Sequence, residues 1–183
     1  YIWEYYKGLF AGIIIACVII SIGVQMFQNS QLKSLLSIAV VDSNYNHDEQ
    51  VEALQNDFLA YAGTGDKHEV VDVDTSLLSG DDYNAVVKMT VVMGAGTADM
   101  MFCGEETYKK YKQQEAFLSW KEVLGDDYSK YEEYMTDDGR LDLEKCPNWE
   151  KYNMVYYSPV YAVVMSSSKN LENCIKFLEM MVQ

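Results

Sequence analysis

The chain has 183 residues with 14 Lys+Arg against 28 Asp+Glu, a formal net charge of −14. A protein that grips nucleic acid needs a basic face to neutralise phosphates, and this composition excludes one. With hydrophobic residues at 49% and aromatics at 13%, disorder over most of the length is excluded too, and one core-forming domain is the natural allowance.

Charge is distributed unevenly. Lys7, Lys33 and Glu4 are the only charges through residue 33, so the remaining 12 basic and 27 acidic side chains give residues 34–183 a net −15. Residues 1–8 read as a short cytoplasmic flank, with Trp3, Tyr5 and Tyr6 at interface depth and Lys7 as the nearest cation. Residues 9–27 are uncharged, long enough at 1.5 Å per residue to cross a bilayer, and are expected to form a single transmembrane helix. This orientation places everything after Phe27 outside the cell. Gly8, Gly12 and Ala16 recur every four residues on one helix face, with Cys17 and Ser21 beside them. Small residues at that interval admit a second helix, in an integral membrane partner or in a second copy.

Residues 28–34 read as a polar linker, and residues 35–183 as one α/β domain with a single open, mainly parallel sheet flanked by helices. Leu35–Val41 is an apolar run ended by Asp42-Ser43-Asn44, which predicts a strand buried on both faces. Asn46 with Glu49 resembles a capping box, and Val51, Leu54, Phe58 and Leu59 follow at helical spacing. A second strand is expected at Val70–Asp74, and a helix capped by Ser79 runs to Gly94-Ala95-Gly96. Met100–Cys103 supplies a third strand, ending at Gly104-Glu105, and helical material follows through Tyr111.

Beyond packed turns at Phe117-Leu118 and Val123-Leu124 lies an acidic stretch, Asp126–Trp149, with Tyr128, Tyr131 and Tyr134 at helical spacing. Tyrosine combines contact area with a polar tip, so this stretch is expected to face a protein partner. Met154–Tyr157 and Tyr161–Met165 read as strands on either side of Ser158-Pro159, and Ser168 or Asn170 starts a last amphipathic helix.

Gly94-x-Gly96-x-Ala98-Asp99 entering the third strand, with Phe117-Leu118-Ser119-Trp120 after it, resembles the first lobe of a type II extracellular solute-binding protein. Tyr161–Met165 with Ser168-Lys169-Asn170 and Cys174–Leu178 resembles the return strand and helix of that family. Family members insert a whole second lobe between those halves, and here a stretch only about thirty residues long, acidic and rich in tyrosine, stands in its place. The resemblance implies a reduced lobe on a bacterial cell surface, tethered by a helix and accessory to an ABC-type transporter.

Catalysis has little to stand on. His47 and His68 lie near no nucleophile arrangement, and the glycine cluster at residues 94–96 ends a helix where a phosphate loop would open one. No cofactor is expected. No metal site is expected either, because Asp137–Glu144 lacks the alternating ligand order of a calcium loop. Cys17, Cys103, Cys146 and Cys174 show no paired spacing, leaving either buried thiols or a Cys146–Cys174 disulfide. In an open parallel sheet a ligand sits beyond the carboxyl ends of the strands. This rule, with the resemblance, selects Asp42, Ser43, Asn44, Gly104, Glu105 and Tyr157 as candidate small-molecule contacts, with Ser158 beside them.

Overall fold

A computed structural model describes residues 13–25 and 32–183 of the chain. The chain divides into two units, Tyr1–Lys33 and Ser34–Gln183. In the first, residues 13–25 form a helix (α1) whose isoleucines and valines are exposed, as are Ala16 and Cys17. Gly8, Gly12 and the ends of the expected span, residues 9–12 and 26–27, lie outside the described residues. Among the described residues no helix is long and apolar enough to cross a membrane.

The second unit is an α/β domain built on one sheet. Its elements are β1 (Lys33–Val41), α2 (Asp48–Ala62), β2 (Glu69–Leu77), α3 (Tyr83–Ala95), β3 (Met100–Cys103) and α4 (Glu105–Lys112). The second half comprises β4 (Phe117–Leu118), α5 (Trp120–Leu124), β5 (Leu141–Asp142), α6 (Trp149–Tyr152), β6 (Tyr161–Met165) and α7 (Leu171–Val182). The strand order is β2-β1-β3-β6-β4, with β5 also on β6.

β1 pairs with β3 in parallel, and the links from Ser37 to Asp72 and from Asp42 to Leu77 advance together along β1 and β2, so that pair is parallel too. From β1 the chain steps outward to β2, then back across β1 to β3. Right-handed crossovers in opposite directions put α2 and α3 on opposite faces. Leu36, Ile38 and Val40 therefore join Leu54 and Phe58 of α2 in one cluster, while Ala39 and Val41 join Met89 and Val92 of α3 in the other. Burial on both faces explains why the central strands are unbroken apolar runs.

The expected mainly parallel sheet is corrected to a mixed one: β6 runs antiparallel to β3, to β4 and to β5. The reason lies in the excursion over residues 104–160. Cys103, the last residue of β3, pairs with Tyr161, the first of β6, so the chain leaves and re-enters the sheet at one end and must return in the opposite sense.

Four local expectations also change. α2 starts after His47 with no side-chain cap, and α3 is capped by Asp82, whose carboxylate accepts from the Asn84 and Ala85 amides, so neither Asn46 nor Ser79 holds the cap. Met154–Tyr157 is not a strand; it makes one isolated bridge, Ser43 to Val155, because the Asn153 side chain takes the Val155 amide that a ladder would need. The stretch after Gly125 folds as short 3-10 turns, and Tyr128, Tyr131 and Tyr134 are half-buried against the core. Part of their ring area is spent inward, against the core.

All four cysteines are free thiols, three of them buried, so the Cys146–Cys174 disulfide is not formed. Burial pushes the thiols of Cys103, Cys146 and Cys174 up to about 12.

The motifs quoted for the family resemblance meet at the amino end of the sheet. Asp99, buried, accepts from the Ser37 amide at 3.0 Å, the Ser168 hydroxyl at 2.7 Å and the Asn170 side-chain amide at 3.1 Å. One carboxylate thus ties β1, the entry to β3 and the start of α7 together.

Candidate functional site

Sheet order reverses between β1 and β3, so the crevice at their carboxyl ends is where a ligand is expected. Tyr157 stands in it. Its hydroxyl donates to the Val41 carbonyl at 2.9 Å and approaches the Phe102 carbonyl at 3.4 Å, bridging the last turns of both strands. Burial is the main cause that pushes this phenol well above the ordinary tyrosine range. Gly104 lets the two approach closely: a Cβ there would sit 3.2 Å from the Tyr157 ring, which would have to give by a few tenths of an ångström.

Two hollows adjoin this tyrosine. One, of about 310 Å³, is lined by Asp42, Gly104, Glu105, Glu106 and Tyr157, with Ser79 at its rim. The other, of about 510 Å³, is lined by Asp42, Ser43, Asn44, Tyr45, Tyr156 and Tyr157. All six residues expected at the site are therefore brought together, and Asp42 and Tyr157 belong to both hollows.

Backbone geometry fixes Asp42. It adopts a left-handed φ of 51°, tolerable for Asp, while its amide donates to the Leu77 carbonyl at 2.9 Å and its Oδ1 accepts from the Ser79 amide at 3.0 Å. Ser43 donates to the Thr75 carbonyl at 2.8 Å, and the Asn44 amide bonds the Met154 carbonyl at 2.9 Å.

Glu105 is less available than its position suggests. Arg140 bonds it at 2.5 Å and Lys109 at 3.0 Å, and the Arg140 hydrogen bond is the leading reason its carboxyl is held below the usual range. Arg140 itself is nearly buried, its guanidinium stacked 4.3 Å from the Tyr108 ring centre and 4.1 Å from that of Tyr161, with Nε on Asp138 at 2.8 Å. The acidic turn at residues 136–139 is thus an ion-paired clamp across α4 and β6 rather than a free solvated loop.

Sequence reasoning missed several residues here. His47 bonds the Asn44 carbonyl through Nδ1 and Thr75 through Nε2, so both ring nitrogens are engaged. Thr75, Leu78 and Ser79 come from the carboxyl end of β2, and the same strand-end rule extended to β2 finds them. Tyr45 and Tyr156 stand 96% and 69% exposed at the second hollow, with no signal beyond their adjacency to the selected residues. Among the described residues no group of three His, Cys, Asp or Glu side chains converges as a metal site.

No protein-family model matches this chain, and no curated protein or solved structure matches it either.

Proposed function

We propose that this chain is a non-enzymatic, membrane-tethered binding protein whose α/β domain, outside the cell, presents the carboxyl edge of its sheet as a recognition face. In this reading it is an accessory or substrate-presenting subunit of a transporter-like membrane complex, a reduced relative of one solute-binding lobe. The observation that carries it is the convergence of Asp42, Ser43, Asn44, Gly104, Glu105 and Tyr157 on two adjoining open hollows. The placement of β6 between β3 and β4 supports the resemblance, since a return strand is what that resemblance implies. The non-enzymatic reading draws support from the three buried thiols, which burial keeps protonated and so poor nucleophiles. A free-standing ligand receptor is the second reading, favoured by hollows of ligand size.

Purification of the full chain in mild detergent separates the two. A stoichiometric integral membrane partner is expected, lost when Gly12→Leu blocks close helix approach and retained in Ile14→Leu, which keeps volume and apolarity. A chain that purifies alone overturns the accessory role. Equal retention of the partner in both variants removes the small-residue stripe from the interface. Protease added to intact cells is expected to remove the domain; protection until lysis reverses the orientation.

A further inference from the structure

We propose that the recognition face takes a small organic ammonium cation, seated against the Tyr45, Tyr156 and Tyr157 rings with its charge on Asp42. The inference rests on the reading of this edge as a binding face and adds the chemistry of what binds there.

The linings decide the sign of the ligand. Neither hollow has a Lys or Arg in its wall, and His47, which lines the larger one, has both ring nitrogens bonded to Asn44 and Thr75, whereas Asp42, Glu105 and Glu106 all contribute carboxylates. Glu105 is neutralised by Arg140 and Lys109. Asp42 is not: its Oδ1 takes the Ser79 amide, but Oδ2 accepts no hydrogen bond and the carboxylate has no ion pair among the described residues. Glu106, exposed in the first turn of α4, has no cationic partner among them either. The amino end of α4 offers a partial positive charge of about half a unit, which favours anions. Two full negative charges outweigh it, and the net −15 of residues 34–183 draws cations toward the domain from a distance.

The tyrosines decide the kind of cation. A metal ion favours several converging carboxylate or imidazole ligands, and among the described residues no three His, Cys, Asp or Glu side chains converge here. An alkylammonium instead gains from ring faces, which replace its weakly held hydration, while its charge finds a carboxylate. Three tyrosines line the larger hollow around Asp42, and the hydroxyl of Tyr157 is already committed to Val41, leaving its ring as the contact surface. A volume of about 510 Å³ is of small-molecule size. In a hollow this open, the ligand binds with a Kd of roughly 10 μM to 1 mM.

Titration calorimetry on the full chain in mild detergent, at constant ionic strength, tests this with choline, tetramethylammonium and putrescine, and with 3,3-dimethylbutan-1-ol as the uncharged counterpart of choline. At least one ammonium probe is expected to bind, with the alcohol at least about tenfold weaker. Asp42→Asn keeps the left-handed backbone and the acceptor for Ser79, and is expected to weaken binding about tenfold. Tyr156→Leu is expected to do the same, and Tyr156→Phe, which keeps the ring, to bind like the wild type. Equal binding of choline and the alcohol overturns the proposal, as does binding that is indifferent to both Asp42→Asn and Tyr156→Leu, or no binding by any ammonium probe. A sugar or peptide that binds and is lost in Asp42→Asn leaves the recognition face standing and sinks only the cation.

Discussion

Replacing Asp99 with Ala is expected to destabilise the full chain by about 3–5 kcal/mol, because the half-buried Ser37 amide and Asn170 side chain lose their acceptor and Ser168 loses its own. For a chain of this size the shift in Tm is about 10 °C. Asp99→Asn keeps one acceptor oxygen for two of the three donors, and its amide nitrogen can donate to the Ser168 hydroxyl, so about 1–2 kcal/mol is expected there. Urea unfolding in mild detergent measures both. If Ala and Asn behave alike, or if Ala shifts the midpoint by less than the Asn change, the carboxylate is not the tie described above.

The second large effect belongs to Arg140. Arg140→Ala removes a guanidinium held between Tyr108 and Tyr161 and breaks its pairs with Glu105 and Asp138, for an expected loss of about 2–4 kcal/mol. Arg140→Lys keeps the charge but neither the planar stack nor the two-way fork, and falls between. The pH dependence gives a separate readout. Burial pushes the Asp138 carboxyl up, but hydrogen bonds from Thr136, Arg140 and Lys112 outweigh it and hold it at about 2, below the ordinary 3.8. A depressed folded pKa contributes stability above the unfolded value and loses it as pH falls through the folded one. Wild-type stability is therefore expected to drop between about pH 4 and pH 2, and to drop less steeply in Arg140→Ala, where only Thr136 and Lys112 still act on Asp138. Parallel slopes for the two chains contradict the clamp.

What the sequence made legible divides along the range of the interactions. β1, β3 and β6 were readable from Leu35–Val41, Met100–Cys103 and Tyr161–Met165 because strands buried on both faces carry continuous apolar runs. Gly96 ended α3 in the left-handed conformation its position implied. The direction of β6 was not readable, since it depends on where a 57-residue excursion re-enters the sheet and no local pattern encodes that. Met154–Tyr157 misled for a local reason: its apolar and aromatic composition fits a strand, but the Asn153 side chain takes the Val155 amide and the segment makes one isolated bridge instead.

The candidate site followed from one rule about strand ends, which found Asp42 through Asn44 and Gly104-Glu105 without any contact information. Arg140 escaped it. A lone arginine inside an acidic turn looks like a solvated charge, and its partners Tyr108, Tyr161 and Glu105 lie 20 or more residues away. Tyr45 and Tyr156 escaped for a different reason, because exposed rings carry no periodicity.

The place of β6 in the sheet has a consequence for how the chain is made. Synthesis delivers β1, β2, β3 and β4 first, yet β3 and β4 are not neighbours; each pairs with β6, which comes near the end of the chain. Until Tyr161–Met165 emerge, the open edge of β3 is a fully apolar strand with nothing beside it, the kind of edge that recruits other chains. Closing the sheet then requires bringing together residues about sixty positions apart, so a slow step dominated by loop closure stands between a nascent chain and its native state. Residues 161–183 are the keystone of the fold, and a ribosome that stops short of them releases a domain whose two halves have no strand to join them.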